Sequence, residues 1–315
     1  MSTCNIYKRV DIETDAVLDA IERRFSFVVD KIVRLRGFCD LTYHVVEGGK
    51  NRREYIFKVF ANPFSTNATQ VEAEISLMLY LHGNGLPVPQ LIPAKNPKHN
   101  FYSRVDFSMG NPMFTRLQSR LPGKMIHDVE WSCDLWKKVG IMAGNVDKVL
   151  ESYKNNFYLE NREPEFIVNY NKKRKLRECL PMIKNEIAAP LAESALKLFE
   201  DKVSPNTNKF PQRKRFHLSL LMSCDVYCSI EQIHGDLDSA NIVVDEKNVE
   251  KDGLPAIGLI DFGDSRVSCR IYEVATAIAS ILAYDNKGEK FALAFLAGYQ
   301  SIINLDELEI KLLRV

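Results

Sequence analysis

Apolar residues recur with two different periods along this chain, and the change from one to the other divides it. Residues 11–25 open with an acid-rich turn and then set Val17, Leu18 and Ile21 at helical spacing, which predicts an amphipathic helix. Residues 27–35 are β-branched and alternate, and 54–60 alternate as cleanly, so both read as strands. Between them a turn at 36–40 leads into another strand. A strong helix is expected over 71–81, and Pro87 and Pro89 end it and begin an extended connector. Residues 114–124 read as a strand and turn. From Trp131 the period becomes helical: Leu135, Trp136, Val139, Met142, Val146 and Val149 recur every three or four positions and mark a long core helix. Further helices are expected over 191–203, 271–282 and 291–299, with Asn304 to Glu307 capping a last one. Two short apolar runs, 242–244 and 257–260, predict a hairpin with its tip at 245–255. This order predicts an α+β protein of two lobes. Residues 1–119 would form an antiparallel sheet with a helix, and residues 120–315 a mainly helical lobe carrying the hairpin.

The hairpin is flanked by the residues that carry chemistry. His234-Gly235-Asp236-Leu237-Asp238-Ser239-Ala240-Asn241 runs into its first strand, and its second strand ends in Asp261-Phe262-Gly263-Asp264. A hairpin brings Asp236, Asn241 and Asp261 to the same end. Hard divalent cations are held by one or two protein oxygens together with phosphate oxygens. Asn241 and Asp261 supply such oxygens for Mg²⁺, leaving Asp236 to take a proton from an attacking hydroxyl. The spacing His, any residue, Asp, four residues, Asn, then a strand ending in Asp-Phe-Gly is that of a kinase catalytic loop. His234 fits a residue that bonds the loop backbone, and Asp238 supports the loop. In the first lobe, Lys58 sits among apolar neighbours in a strand, where a lysine would ordinarily face solvent. It follows the 36–40 turn and precedes a helix carrying Glu72 and Glu74, the order in which a phosphate-binding lysine and its partner glutamate occur. Glu74, on the border of the buried stripe, is preferred as that partner, and Glu72 stays open as the alternative.

With His234-Gly235-Asp236 and Asn241 in place of His-Arg-Asp, the chain resembles the aminoglycoside and choline phosphotransferase superfamily of small-molecule kinases. Its surroundings are most similar to the hydroxylysine kinases, through His234-Gly235-Asp236-Leu237, Ile260-Asp261-Phe262-Gly263-Asp264, Ser268-Cys269 and Tyr272-Glu273-Val274-Ala275. The resemblance implies a bilobal protein-kinase-like fold. It implies transfer of the γ-phosphoryl of GTP, or ATP in the wider superfamily, to a small-molecule hydroxyl: that of 5-hydroxy-L-lysine, in lysine degradation, or of choline or an aminoglycoside. It gives the turn at Gly37 a role over the nucleotide phosphates and the backbone of Leu117, Gln118 and Ser119 a role at the nucleobase. Glu273 is read as a pin for the loop after Asp261. Two departures bear on activity: the segment 211–231 is additional to the relatives, whose preceding helix runs almost directly into His-Gly-Asp, and the chain stops where they continue. A nucleotide-binding relative without turnover is therefore a third reading.

The bulk properties narrow the partners. At 46% hydrophobic and 26% charged residues over 315, the chain can bury a core, and a net charge of +1 argues against a dedicated nucleic-acid binder. No run approaches the roughly 18 apolar residues of a membrane span, and residues 1–10 lack the apolar centre of a signal peptide. Seven cysteines without paired spacing read as reduced thiols in the cytoplasm. The basic run at 172–177 reads as a solvated face, with a rim for an anionic substrate as the lesser alternative. Neither the acceptor nor the oligomeric state is written in these patterns.

Overall fold

The structure is a computed structural model, and it describes residues 11–25, 27–37, 40–50, 52–61, 68–95, 101–107, 110–154, 180–182, 188–203, 230–284 and 288–313. In chain order the elements are α1 (Thr14–Arg24), β1 (Val29–Arg34), β2 (Leu41–Glu47), β3 (Glu54–Phe60), α2 (Ala68–Gly83), β4 (Leu91–Ile92), β5 (Ser103–Val105), β6 (Met113–Ser119) and β7 (Lys124–Met125). They continue with α3 (Cys133–Leu150), α4 (Ala188–Leu198), β8 (Ile230–Ile233), β9 (Ile242–Val249), β10 (Pro255–Leu259) and β11 (Arg266–Cys269). Three helices close the series, α5 (Arg270–Tyr284), α6 (Glu289–Gln300) and α7 (Glu307–Leu313). The basic run at 172–177 and residues 211–229 of the additional segment lie outside the described residues. Residues 230 and 231 open β8.

The chain divides into two units, Met1–Met125 with Ile242–Gly263, and Ile126–Asn241 with Asp264–Val315. The first holds an antiparallel sheet in the order β1-β2-β3-β6-β4, with β5 also paired to β6. Alternation decides its faces. Tyr55, Phe57 and Val59 of β3 join Tyr43 and Val45 of β2 and Val17 and Ile21 of α1 in one apolar core. Lys58 and Phe60 point to the opposite face and are buried there as well. The alternation expected over this strand does not separate buried from exposed positions, because Phe57 to Phe60 are buried on both faces.

The hairpin is where the expected division at 119/120 differs from the structure, because contacts group residues 120–125 and 242–263 with the first unit. Val244 and Val243 of β9 pair with Lys124 and Met125 of β7, and the backbone N–H of Leu259 donates to the carbonyl of Pro87 at 3.0 Å. Two glycines permit this approach. A Cβ on Gly123, whose φ is +118°, would lie 2.2 Å from the carbonyl oxygen of Val244, and one on Gly258 would lie 2.7 Å from that of Pro87. β9 also runs to Val249, well into the stretch read as the hairpin tip, with its last residues exposed.

In the second unit α3 starts at an N-cap, Ser132, whose Oγ accepts from the N–H of Leu135 at 3.1 Å. It packs on α6 through glycines: a Cβ on Gly140 would meet the carbonyl of Phe295 at 2.0 Å, and one on Gly298 that of Lys137 at 2.0 Å. The two backbones touch, and Tyr299 donates its hydroxyl to the buried carboxylate of Asp147 at 2.5 Å across the same contact. Arg270, fully buried, lies 3.9 Å from Glu151 and 3.6 Å from Glu309. The expected last cap is a reciprocal pair, Glu309 N–H to Asp306 Oδ1 at 2.8 Å and Asp306 N–H to Glu309 Oε2 at 2.9 Å. β8 pairs antiparallel with β11, Ile233 opposite Arg266, which delivers the chain into His234. Among the described residues no helix is long and apolar enough to cross a membrane.

Candidate active site

In the first unit the chemistry gathers on Lys58. Its ammonium lies 2.8 Å from Asp261 Oδ1 and 3.4 Å from Asp40 Oδ2. Burial alone would lower its pKa, but the carboxylates of Asp261, Asp40 and Glu74 outweigh it and hold the group above the ordinary lysine value. The lysine is a fixed cation. Asp261 follows β10 with φ +60°, a left-handed conformation that costs a residue with a side chain about 1 kcal/mol or more and concentrates at functional positions. Its Oδ1 also accepts from the N–H of Gly263 at 3.3 Å. Asp40 is anchored by accepting from the N–H of Ala61 at 3.1 Å. The turn before it is tight: a Cβ on Gly37 would come within 2.7 Å of the carbonyl oxygen of Asp40.

The ion pair expected between Lys58 and Glu74 is not made. Glu74 Oε1 accepts instead from Arg116 Nη2 at 2.8 Å, because Arg116 stands directly opposite Lys58 in the β3–β6 ladder and its longer fork reaches the carboxylate. Glu72, the alternative partner, accepts from the hydroxyl of Tyr102 at 2.7 Å. Leu117 and Gln118 are buried within β6, between β3 and β4. The N–H of Ser119 donates to Gln90 and that of Arg120 to Glu54, so these two donors are unavailable to a nucleobase edge.

In the second unit a tight loop joins β8 to the hairpin. Gly235 has φ +87°, and a Cβ there would lie 2.2 Å from the carbonyl oxygen of Asp264, so only glycine fits. Its peptide is held at both ends: the N–H donates to Glu273 Oε2 at 2.9 Å and the carbonyl accepts from Arg266 Nη2 at 3.0 Å. Glu273 therefore pins the His-Gly-Asp turn, where the loop after Asp261 was expected. The ring of His234 accepts the N–H of Asp236 at Nδ1, 3.3 Å away, which leaves the ring proton of the neutral form on Nε2. Asn241 Nδ2 donates to both the carbonyl (2.8 Å) and Oδ2 (3.0 Å) of Asp236. Asp238 closes the turn by accepting from the N–H of Ala240 at 2.6 Å.

Asp236 is thus fixed in place with one carboxylate oxygen bonded to Asn241. Burial raises its pKa above the ordinary carboxylate value, and the neighbouring carboxylates of Asp238 and Asp264 add to the rise. A carboxylate made more basic in this way is suited to accept a proton. Of the expected trio, Asp236 and Asn241 are bonded to each other, and Asp261 belongs to the other unit and is bonded to Lys58. Arg116, Asp40, Glu273 and Arg266 were not legible as parts of these clusters, although Glu273 stood in a quoted motif. Among the described residues no group of three or more His, Cys, Asp or Glu forms a metal site.

A charged buried lysine beside an Asp-Phe-Gly carboxylate, with a basic aspartate in a His-Gly-Asp loop, is an arrangement suited to phosphoryl transfer. The model of the phosphotransferase enzyme family (APH) matches residues 32–310, and the chain belongs to that family. Its relatives include the hydroxylysine kinase of Xenopus laevis, 25% identical over 95% of this chain and 77% of the relative. That of Mus musculus is 24% identical over 92% and 74%, and the amicoumacin kinase of Bacillus subtilis is 22% identical over 93% and 78%. Among solved structures, an amicoumacin kinase in complex with AMP-PNP and Ca²⁺ superposes with a TM-score of 0.65 at 15% identity, covering 96% of this chain and 83% of that one. A microcompartment-associated aminopropanol kinase gives 0.66 at 16%, covering 96% and 84%. The fold is protein-kinase-like, and the protein is a small-molecule kinase with a hydroxyl acceptor.

Proposed function

We propose that this kinase transfers the γ-phosphoryl of GTP to the hydroxyl of 5-hydroxy-L-lysine, a step of lysine degradation in the cytoplasm. The alternative within the family is an ATP-dependent kinase of choline or an aminoglycoside. The observation that carries the acceptor is the similarity to hydroxylysine kinases over 92–95% of the chain. The geometry of the two clusters supports the reaction type. Lys58, charged and buried, binds the α/β-phosphates in this reading, and the Gly37 turn covers them. Asp236 orients the acceptor hydroxyl and accepts its proton as the oxygen bonds to the γ-phosphorus and the diphosphate leaves. His234 and Asp238 hold the loop. The backbone of residues 117–119 is assigned to the base in this reading, the N–H of Ser119 excepted because it donates to Gln90.

Asn241 and Asp261 are proposed to hold Mg²⁺. Asn241 spends its Nδ2 on Asp236, which leaves Oδ1 as an oxygen ligand. The side chain of Asp261 is 49% exposed. When bound with the nucleotide, the ion would neutralise charge on the transferring phosphoryl group.

The test is product formation with Mg²⁺ and GTP or ATP against 5-hydroxylysine, choline and an aminoglycoside, with the Asp236→Asn variant as control. Phosphohydroxylysine formed with GTP and lost in the variant is the expected result. Transfer to choline or the aminoglycoside alone would replace the acceptor, and nucleotide binding without transfer to any of them would make the protein a relative without turnover.

A further inference from the structure

Lys58 and Arg116 are direct partners across β3 and β6, so their side chains leave the sheet on the same face. Phe60 shares that face. Its ring centroid lies 5.7 Å from Lys58 Nζ and 5.2 Å from the guanidinium carbon of Arg116. Two cations therefore sit over one ring, and α2 sends a single carboxylate, Glu74, towards them. Arg116 takes it.

Arg116 is 1% exposed, yet its Nε and Nη1 have no hydrogen-bond partner among the described residues. A guanidinium buried with part of its fork unused is costly, and the ring contact offsets only part of that cost. An apolar side chain of similar length would fill the same space without the penalty. Packing alone is thus a poor reason for an arginine here. Arg116 holds Glu74 by Oε1, and Glu74 already contributes to the charge environment of Lys58. Lys58 meanwhile is occupied by Asp261 and Asp40.

We infer that Arg116 is a positioning residue for nucleotide binding: it grips Glu74 by Oε1 so that Oε2 is presented to Lys58 once phosphates draw the lysine away from Asp261. A guanidinium suits this task because its planar fork fixes the carboxylate in orientation as well as in distance. The inference rests on the reading of Lys58 as the phosphate-binding lysine.

The experiment measures the dissociation constant for a non-hydrolysable GTP analogue with Mg²⁺ by calorimetry, and the unliganded melting temperature, in Arg116→Met, Arg116→Lys, Glu74→Gln, their double combinations and Lys58→Met. Arg116→Met is expected to weaken nucleotide binding about tenfold, an effect within the range of residues coupled through one network. The acceptor KM should not change. Arg116→Lys should recover part of the loss, and in the Glu74→Gln background neither change at 116 should weaken binding further. Wild-type nucleotide affinity in Arg116→Met, with only the melting temperature lowered, would overturn the inference. So would losses that multiply independently at 74 and 116. If Arg116→Met does not fold, the cycle of Arg116→Lys with Glu74→Gln decides: an equal loss from Arg116→Lys in both backgrounds is the overturning result. Lys58→Met separates the two levels. Wild-type binding there removes the phosphate reading and the role of Arg116 with it, and weak binding there beside normal binding in Arg116→Met removes the role of Arg116 alone.

Discussion

The buried carboxylate of Glu273 accepts the backbone N–H of Gly235 at 2.9 Å, across 38 residues of sequence. One helix of the second unit thereby sets the His234–Gly235 peptide, one residue before Asp236. Truncating Glu273 to Ala leaves that N–H without its acceptor and opens a small void. The expected cost is about 2 kcal/mol of stability. The kinetic consequence should fall on kcat, with the nucleotide KM unchanged, because Lys58 belongs to a separate cluster. Chemical denaturation and steady-state kinetics on the same preparation check both parts.

Gly235→Ala should be as damaging by a different route. A Cβ there meets the carbonyl oxygen of Asp264 at 2.2 Å, on a residue with φ +87°. The loop must shift or the strand after Asp264 must give, at about 1–3 kcal/mol for overpacking of this kind. Turnover should fall steeply while nucleotide affinity holds.

Asp236→Asn preserves the shape of the side chain and its ability to accept from Asn241, but it removes the base. Turnover is expected to drop by about a hundredfold or more. Stability should move the other way. Burial raises the pKa of Asp236, so between its ordinary value and its folded value the native state holds more protons than the unfolded one. Wild-type stability from this group is therefore lost as pH rises through that window. The asparagine variant lacks this loss and should melt at an equal or higher temperature than wild type above it. In the wild type, kcat/KM should rise with pH through the same raised pKa, since only the ionised carboxylate accepts a proton. Melting curves and a kcat/KM profile against pH read both effects.

Gly298→Ala tests the packing beneath the loop. Its Cβ would lie 2.0 Å from the carbonyl oxygen of Lys137, so α3 and α6 must separate. A loss of about 1–3 kcal/mol is expected, and residual activity at low temperature should stay near wild type. A variant as stable as the parent would mean that the helices do not touch at this point.

Much of this architecture was legible from pattern alone. Periods of two and of three to four residues marked β2 and α3, because each buries one face and hydrophobic burial repeats with the geometry of the element. The His-Gly-Asp loop and the Asp-Phe-Gly end were equally readable, since their residues lie close in sequence and their chemistry requires particular atoms at particular spacing. What pattern did not reach was pairing across distance. Lys58 and Arg116 are 58 residues apart in numbering and adjacent only through the β3–β6 register, and that register, with the side-chain lengths, hands Glu74 to the arginine and leaves Lys58 to Asp261. Glu273 was noticed but assigned to the wrong loop, because a helix shows which of its residues are buried and not which backbone group they meet. The glycines of α3 and α6 mark where the two helix backbones touch, a contact that helical period does not announce. Local periodicity and local chemistry are properties of neighbouring residues, so the sequence by itself determined the elements and the reactive groups. The partner of each buried charge depends on which strands and helices are brought side by side, and only the tertiary structure decided that.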